Sequence, residues 1–225
     1  MTLRTTDEVI AFLIDTSARA DRGLHPEPVG VFARAYLRVT LEVVARIADG
    51  YFEDPSWLAA FDVRFANKYK EALENAAGRP GPWKIAFDVA ASGDRDLLRH
   101  LMLGINAHMR YDLTAVLLGG FVFDRAKNRR DFDAVNRVMR LAIDPIQAVL
   151  EQRYAPWLEA GDSAALGLDE EITYQRFFAW RSGAWDDAMA VLDGRRDVES
   201  VERKVRWRAE LLRRAPGLLT AALPF

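Results

Sequence analysis

Residues 99–120, RHLMLGINAHMRYDLTAVLLGG, read as a helix that is apolar nearly all the way round yet carries Asn106, His108, Arg110 and Asp112. A helix without one polar face has to be surrounded by other elements instead of lying on a surface. The fold must therefore be built around this segment. It must also supply partners for the polar groups, because leaving one buried and unsatisfied costs about 1–3 kcal/mol.

Elsewhere apolar residues recur at helical spacing almost throughout, and alternation of period two is confined to GGFVFD at 119–124, the one stretch that could pass for a strand. The expectation is an all-α, single-domain bundle of about eight to nine helices around a buried central helix over 94–118. The first helix starts at Thr5 or Thr6, either of which suits an N-cap, and stops in the DRGLHPEP loop at 21–28. A second runs to Gly50, and Asp54-Pro55 opens a third, with Asp as cap and Pro at the first helical position, that continues to Gly78. Pro82 starts a short fourth. After the central helix, DRAKNRR reads as a polar loop, and a sixth helix begins near Asp131 and is kinked or ended at Pro145. ITYQRFFAWRSG and WDDAMAVLDG read as two further helices, followed by a last one from Val198 to Arg214. The whole of 1–225 is read as one domain, with 156–168 the sole candidate boundary.

At this length a chain buries roughly 70–75% of its unfolded surface and needs no covalent staple. It has no cysteine, which excludes disulfides, thiolate metal sites and cysteine nucleophiles. A net charge of −2 exerts no overall pull on nucleic acid or anionic membrane, so no nucleic-acid partner is expected. Between Arg195 and Arg214, however, eight basic residues face four acidic ones, a pattern that reads first as a solvated helix face. No window is long and apolar enough to span a membrane and the N-terminus lacks the marks of a signal peptide, so a cytoplasmic protein is expected.

On a regular helical wheel His108 and Asp112 lie about 40° apart, where imidazole and carboxylate touch, while Asn106 lies on the far side with Arg110. An aspartate bonded to one imidazole nitrogen sets the tautomer and the basicity of the other, which serves a general base and a metal ligand alike. The same pair also merely satisfies two buried polar groups. His100 is about 12 Å along the axis from His108, too far to share a metal with it. A metal at His108 would draw on His25, Glu42, Asp62, Asp88, Asp131 or Asp144 from other segments. Gly104, one turn before His108, reads as a place of close helix packing.

YLRVTLEVVARI, WLAAFDVRFANKYKEAL, PWKIAFDVA, LLRHLMLGINAHMRYDL and RRDFDAVNRVM together resemble the helical bacterial proteins grouped as domain of unknown function 5995. GINAHMRYDL is the most specific part, and FFAWRSGAWDDAMAVL fits more loosely. The resemblance implies a helical fold and a polar centre at Asn106, His108, Asp112, Asp131 and Asn136, with no particular activity. Leu103-Gly104 followed by His108 and Asp112 also resembles the L-G-x-x-x-H-x-x-x-D helix of zinc-dependent phospholipase C and related nucleases, which implies zinc ligation by His108 and Asp112. Only three histidines are present, so a full trinuclear centre is not available.

Other constellations have plainer readings beside the functional ones. Asp131 suits the N-cap of helix six, and Asn136 suits a hydrogen bond to the central helix. Asp62 and Tyr69 share a stripe of helix three that is either a surface edge or the polar wall of a cavity. Tyr36 and Tyr111 could point hydroxyls inward, and the six tryptophans read as core and groove fillers. No P-loop, nucleophile elbow or H-E-x-x-H occurs.

The leading expectation is an enzyme or binder acting on a small, hydrophobic organic molecule in a semi-buried polar pocket. His108 and Asp112 are its catalytic pair, with Asn106, Asp131, Asn136, Tyr111 and Tyr69 as substrate-binding candidates and acid–base or non-redox cyclisation as the chemistry. No cofactor is required; a divalent metal such as zinc at His108 and Asp112, serving hydrolysis, is the second reading. The rival is a non-enzymatic helical module whose central polar groups set helix register and whose basic helix docks an acidic partner.

Overall fold

The computed structural model describes residues 1–94, 96–119, 124–154 and 170–214, and among them every regular element is a helix. In order these are α1 (Thr6–Asp21), α2 (Glu27–Ala48), α3 (Pro55–Glu74), α4 (Gly81–Ala91), α5 (Leu97–Asn106), a π-helical segment (Ala107–Asp112), α6 (Leu113–Leu118), α7 (Arg125–Tyr154), α8 (Glu170–Leu192) and α9 (Val198–Arg214). The chain is an all-α bundle. α5, the π segment and α6 follow one another without a break as a central rod, and α2, α3, α4, α8 and α9 all touch it. No helix among the described residues is long and apolar enough to cross a membrane. Residues 120–123 of the strand candidate at 119–124, and the boundary candidate at 156–168, lie outside the described residues.

Local signals place the first helices as expected. The Thr5 hydroxyl accepts from Glu8 N at 3.2 Å, and Asp54 Oδ1 accepts from Trp57 N at 3.0 Å, so both N-caps are made by the residues with the right side chains for it. α3 stops at Glu74, a turn short of Gly78, where Asn75 Oδ1 takes up the Gly78 amide at 3.0 Å.

Three expectations for the second half are corrected. Residues 125–130 are helix, not loop: Asp124 Oδ1 accepts from Ala126 N and Lys127 N, both at 2.9 Å, and so caps α7 about two turns before Asp131. Pro145 does not end α7, for the helix runs on to Tyr154. Its missing amide would have served Leu141, which is 54% exposed, so that carbonyl stays on the solvent side where its loss is cheapest. The two helices expected around Gly183 are one, α8.

Gly183 is where α8 lets the rod through. A Cβ there would lie 1.8 Å from Arg110 Nη1, and that guanidinium is pinned: Nη1 donates to Trp180 O at 3.0 Å and Nη2 to Asp187 Oδ2 at 3.0 Å. Gly104 does the same for α2, since a Cβ there would lie 2.6 Å from the Phe32 ring. Gly183→Ala is therefore expected to force Arg110 off a buried carboxylate and to lower stability by about 2–4 kcal/mol in urea unfolding, where an exposed helical Gly→Ala would raise it.

Candidate functional site

The π segment falls on the residues that matter most. Its amides bond five residues back, as the Leu113 amide does to His108 O, and this widens the turn to more than four residues. Residues four apart then stack nearly in line, and His108 Nδ1 comes within 2.8 Å of Asp112 Oδ2. The same oxygen accepts from Trp83 Nε1 of α4 at 2.9 Å. The pair is fully buried, with side chains 4% and 1% exposed, where a semi-buried pocket was expected.

Aromatic rings enclose the imidazole. Phe65 stacks on it with centroids 3.5 Å apart and planes 12° off parallel, Tyr36 meets it edge-on at 4.6 Å, and Phe32, Tyr69 and Trp83 stand 5.7–6.1 Å away. α3 brings Phe65 and Tyr69 together because they are four apart, and α2 brings Phe32 and Tyr36 together for the same reason. Beyond Phe32, Tyr69 and Trp83 lies a cleft of about 280 Å³, counting space open to solvent, which His100 and Gly104 also line. That is below the roughly 300–1,000 Å³ of a small-molecule site, so the cleft is an antechamber at most in this conformation.

Inside the cage the polar atoms are short of partners. His108 Nε2 and the Tyr36 and Tyr69 hydroxyls are buried without a hydrogen bond among the described residues, and so is Asp62 Oδ2 nearby on α3. Asp62, one turn before Phe65 on α3, is 9% exposed; burial raises its carboxyl to about 7, with the Arg181 charge pulling the other way. Arg181 of α8 is itself buried, donates from Nη2 to Phe132 O at 2.9 Å and lies over the Phe132 ring at 4.2 Å. Its charge also acts on His108, and the Asp62 charge acts on Tyr36, so Tyr36, Asp62, His108 and Arg181 share one electrostatic neighbourhood.

Burial holds His108 well below its ordinary value and pushes Asp112 well above its own, against the pull of the Trp83 N–H. Both directions favour the uncharged pair, in which the Asp112 carboxyl donates to Nδ1 and the remaining imidazole proton sits on Nε2. His108 thus turns a donor toward the aromatic cage, and the nearby group that titrates near neutrality is Asp62.

The other predicted site residues are dispersed. Asn106 faces the opposite way and donates from Nδ2 to Val205 O of α9 at 3.2 Å, as the wheel required. Tyr111 is half-buried on the side of Glu202 and raised to about 12 by burial first and by that acid second. Asp131 is not the cap of its own helix. It sits inside α7 and its two oxygens accept from Glu53 N and Asp54 N at 2.8 and 2.7 Å, so it fastens the start of α3. Asn136 is buried on α7, one turn after Phe132, with neither amide atom bonded among the described residues. Tyr69 belongs to the cage. His100 Nε2 contacts Asp94 O at 2.7 Å, and Arg19 Nε donates to His25 Nε2 at 3.2 Å. No three His, Cys, Asp or Glu side chains among the described residues converge as metal ligands, so the residues present do not fit the zinc that the phospholipase likeness implies.

Residues 6–219 match the family of unknown function DUF5995. The chain belongs to that family. No curated protein and no solved structure matches it. For the DUF5995 chain, then, function has to be argued from the cage. The residues that sequence reading passed over are Trp83 and Arg181, with Asp62 weighed only as a wall or metal partner. An arginine amid FFAWRSGAW was the available signal for Arg181.

Two outcomes check this electrostatic reading. Asp62 gains its proton on folding, so its cost is absent below about pH 4 and grows as pH rises through about 7. Asp62→Asn is accordingly expected to stabilise the fold by about 2–4 kcal/mol near pH 8 and by almost nothing near pH 4, read by urea unfolding at both. In long-range proton–nitrogen correlation spectra, His108 should show the Nε2–H tautomer and remain uncharged through mildly acidic pH; a bare Nε2 would overturn the assignment.

Proposed function

We propose that the cage is a buried acid–base site for a small, uncharged organic molecule bearing a carbonyl or hydroxyl oxygen. What carries the reading is that His108, held in place by Asp112 and Trp83, keeps an unpartnered buried Nε2 under the same Arg181 charge as Asp62, whose buried Oδ2 is also unpartnered and whose carboxyl titrates near neutral pH. A carboxyl poised near the working pH and a donor fixed by its environment are what proton transfer at a carbon beside a carbonyl requires. In this assignment the His108 Nε2–H and Tyr36 hydroxyl polarise the substrate oxygen, Asp62 takes the proton, and Arg181 stabilises the charge that develops. Asp112 and Trp83 are positioning residues. The aromatic walls select an apolar body, and the cleft behind Phe32 is the way in, opened by rotation of that ring.

A second reading has its own observation. His108 stacks on Phe65 at 3.5 Å and is shut off from solvent, which suits a pair that only fixes helix register. Exchange of the Nε2 proton with solvent separates the two. The acid–base reading expects exchange much faster than global unfolding, a saturable shift of the Nε2–H resonance with small cyclic ketones, and exchange of their α-hydrogens in heavy water that Asp62→Asn abolishes. A proton that leaves only as the whole protein unfolds, unmoved by any ketone, would leave the structural reading standing.

A further inference from the structure

A second polar cluster lies on the other side of the rod, where α8, the turn after it and α9 meet the π segment. Four cations, Arg110, Arg196, Lys204 and Arg208, gather there around one buried carboxylate, Asp187. Asp187 Oδ2 accepts from Arg110 Nη2 at 3.0 Å and lies 3.4 Å from Lys204 Nζ; Oδ1 accepts from Arg196 and lies 3.5 Å from Lys204 Nζ. Both oxygens are thus engaged, and Asp187 acts on Arg208 by charge alone, with no hydrogen bond to it among the described residues.

Arg208 is 7% exposed, sits over the Trp180 ring at 5.9 Å, and has a buried Nε without a partner; Arg110 Nε is likewise unpartnered. Burial and the like charge of Arg110 pull it down to about 10, against the attraction of the Asp187 carboxylate. The acids of α9 serve elsewhere: Glu199 pairs with Arg203, Glu202 accepts from Gly81 N, and Glu210 pairs with Arg213. Lys204 and Arg208 stand one turn apart on one face of α9, and the Lys204 and Arg196 side chains are 46% and 40% exposed, so the cluster opens to water at its outer edge.

We infer that this corner is a binding site for a phosphate-type oxyanion, held by Arg208 and Lys204 with Arg196 at the mouth. A singly charged carboxylate would leave most of the excess charge unanswered. A phosphoryl group carries close to two charges and three strong acceptor oxygens, which suit guanidinium forks and an ammonium together. The site faces away from the His108 cage and does not depend on the chemistry assigned there.

The test is calorimetric titration of inorganic phosphate into the full chain at low ionic strength, with thermal unfolding followed beside a chloride control of equal ionic strength. Phosphate is expected to bind one to one and to raise the unfolding midpoint beyond the chloride control. Lys204→Gln, an exposed and structurally mild change, should weaken phosphate at least about tenfold. Arg208→Met should unfold at a higher temperature than the unmodified chain when phosphate is absent, since an unanswered buried charge is removed, and should lose the phosphate-specific gain. Equal shifts in phosphate and chloride, or an unchanged phosphate affinity in Lys204→Gln, would overturn the proposal.

Discussion

Desolvation of the polar side chains on the central rod sets the positions of the helices around it. These groups find partners on three surrounding helices: Asn106 the Val205 carbonyl of α9, Asp112 the Trp83 indole of α4, Arg110 the Trp180 carbonyl and the Asp187 carboxylate of α8, and Thr114 the Ala184 carbonyl of α8. Apolar packing alone would allow these helices to slide or rotate at modest cost. A buried guanidinium without its carboxylate is far more expensive, so the polar partners choose one register from among the well-packed ones. Gly183 belongs to the same constraint, because α8 can approach Arg110 only where it has no side chain.

The π segment connects this architecture to chemistry. A regular helix would set His108 and Asp112 at an angle; the wider turn aligns them and lets one carboxylate oxygen meet both the imidazole and the Trp83 indole. The aromatic cage then acts on charge as well as shape. By removing water it drives Asp112 and His108 toward their neutral forms and lifts Asp62 to about 7, so the same rings that hold the imidazole still also bring a carboxyl into the working pH range.

The His108–Asp112 contact was legible because spacing of four along one helix is a local property, as were the Thr5 and Asp54 caps. The opposite placement of Asn106 was legible for the same reason. Asp131 shows where such reading stops. Its backbone-amide acceptor role was foreseen, but the amides belong to Glu53 and Asp54, 78 and 77 residues away in sequence, and no local pattern names them. Gly183 and Pro145 misled in the opposite sense, since each is a helix breaker by propensity and each lies inside a helix. A close-passing guanidinium explains the glycine and an exposed face makes the proline tolerable.

Sequence by itself determined the class of fold, the helix that had to be central and the His–Asp pair that lies along it, because helical periodicity and i, i+4 spacing are fixed by backbone geometry. Only the tertiary structure decided which distant groups join that pair. Trp83, Asp62, Tyr36 and Arg181 come from four different helices, and it is their convergence, and the water their packing excludes, that sets where the proton rests. The same holds for Arg208: a basic residue in a basic helix looks solvated in sequence, and only the approach of α8 turns it inward against Trp180 with no carboxylate hydrogen-bonded to it among the described residues. Burial is a property of the assembled bundle, and the electrostatics of both sites follow from burial.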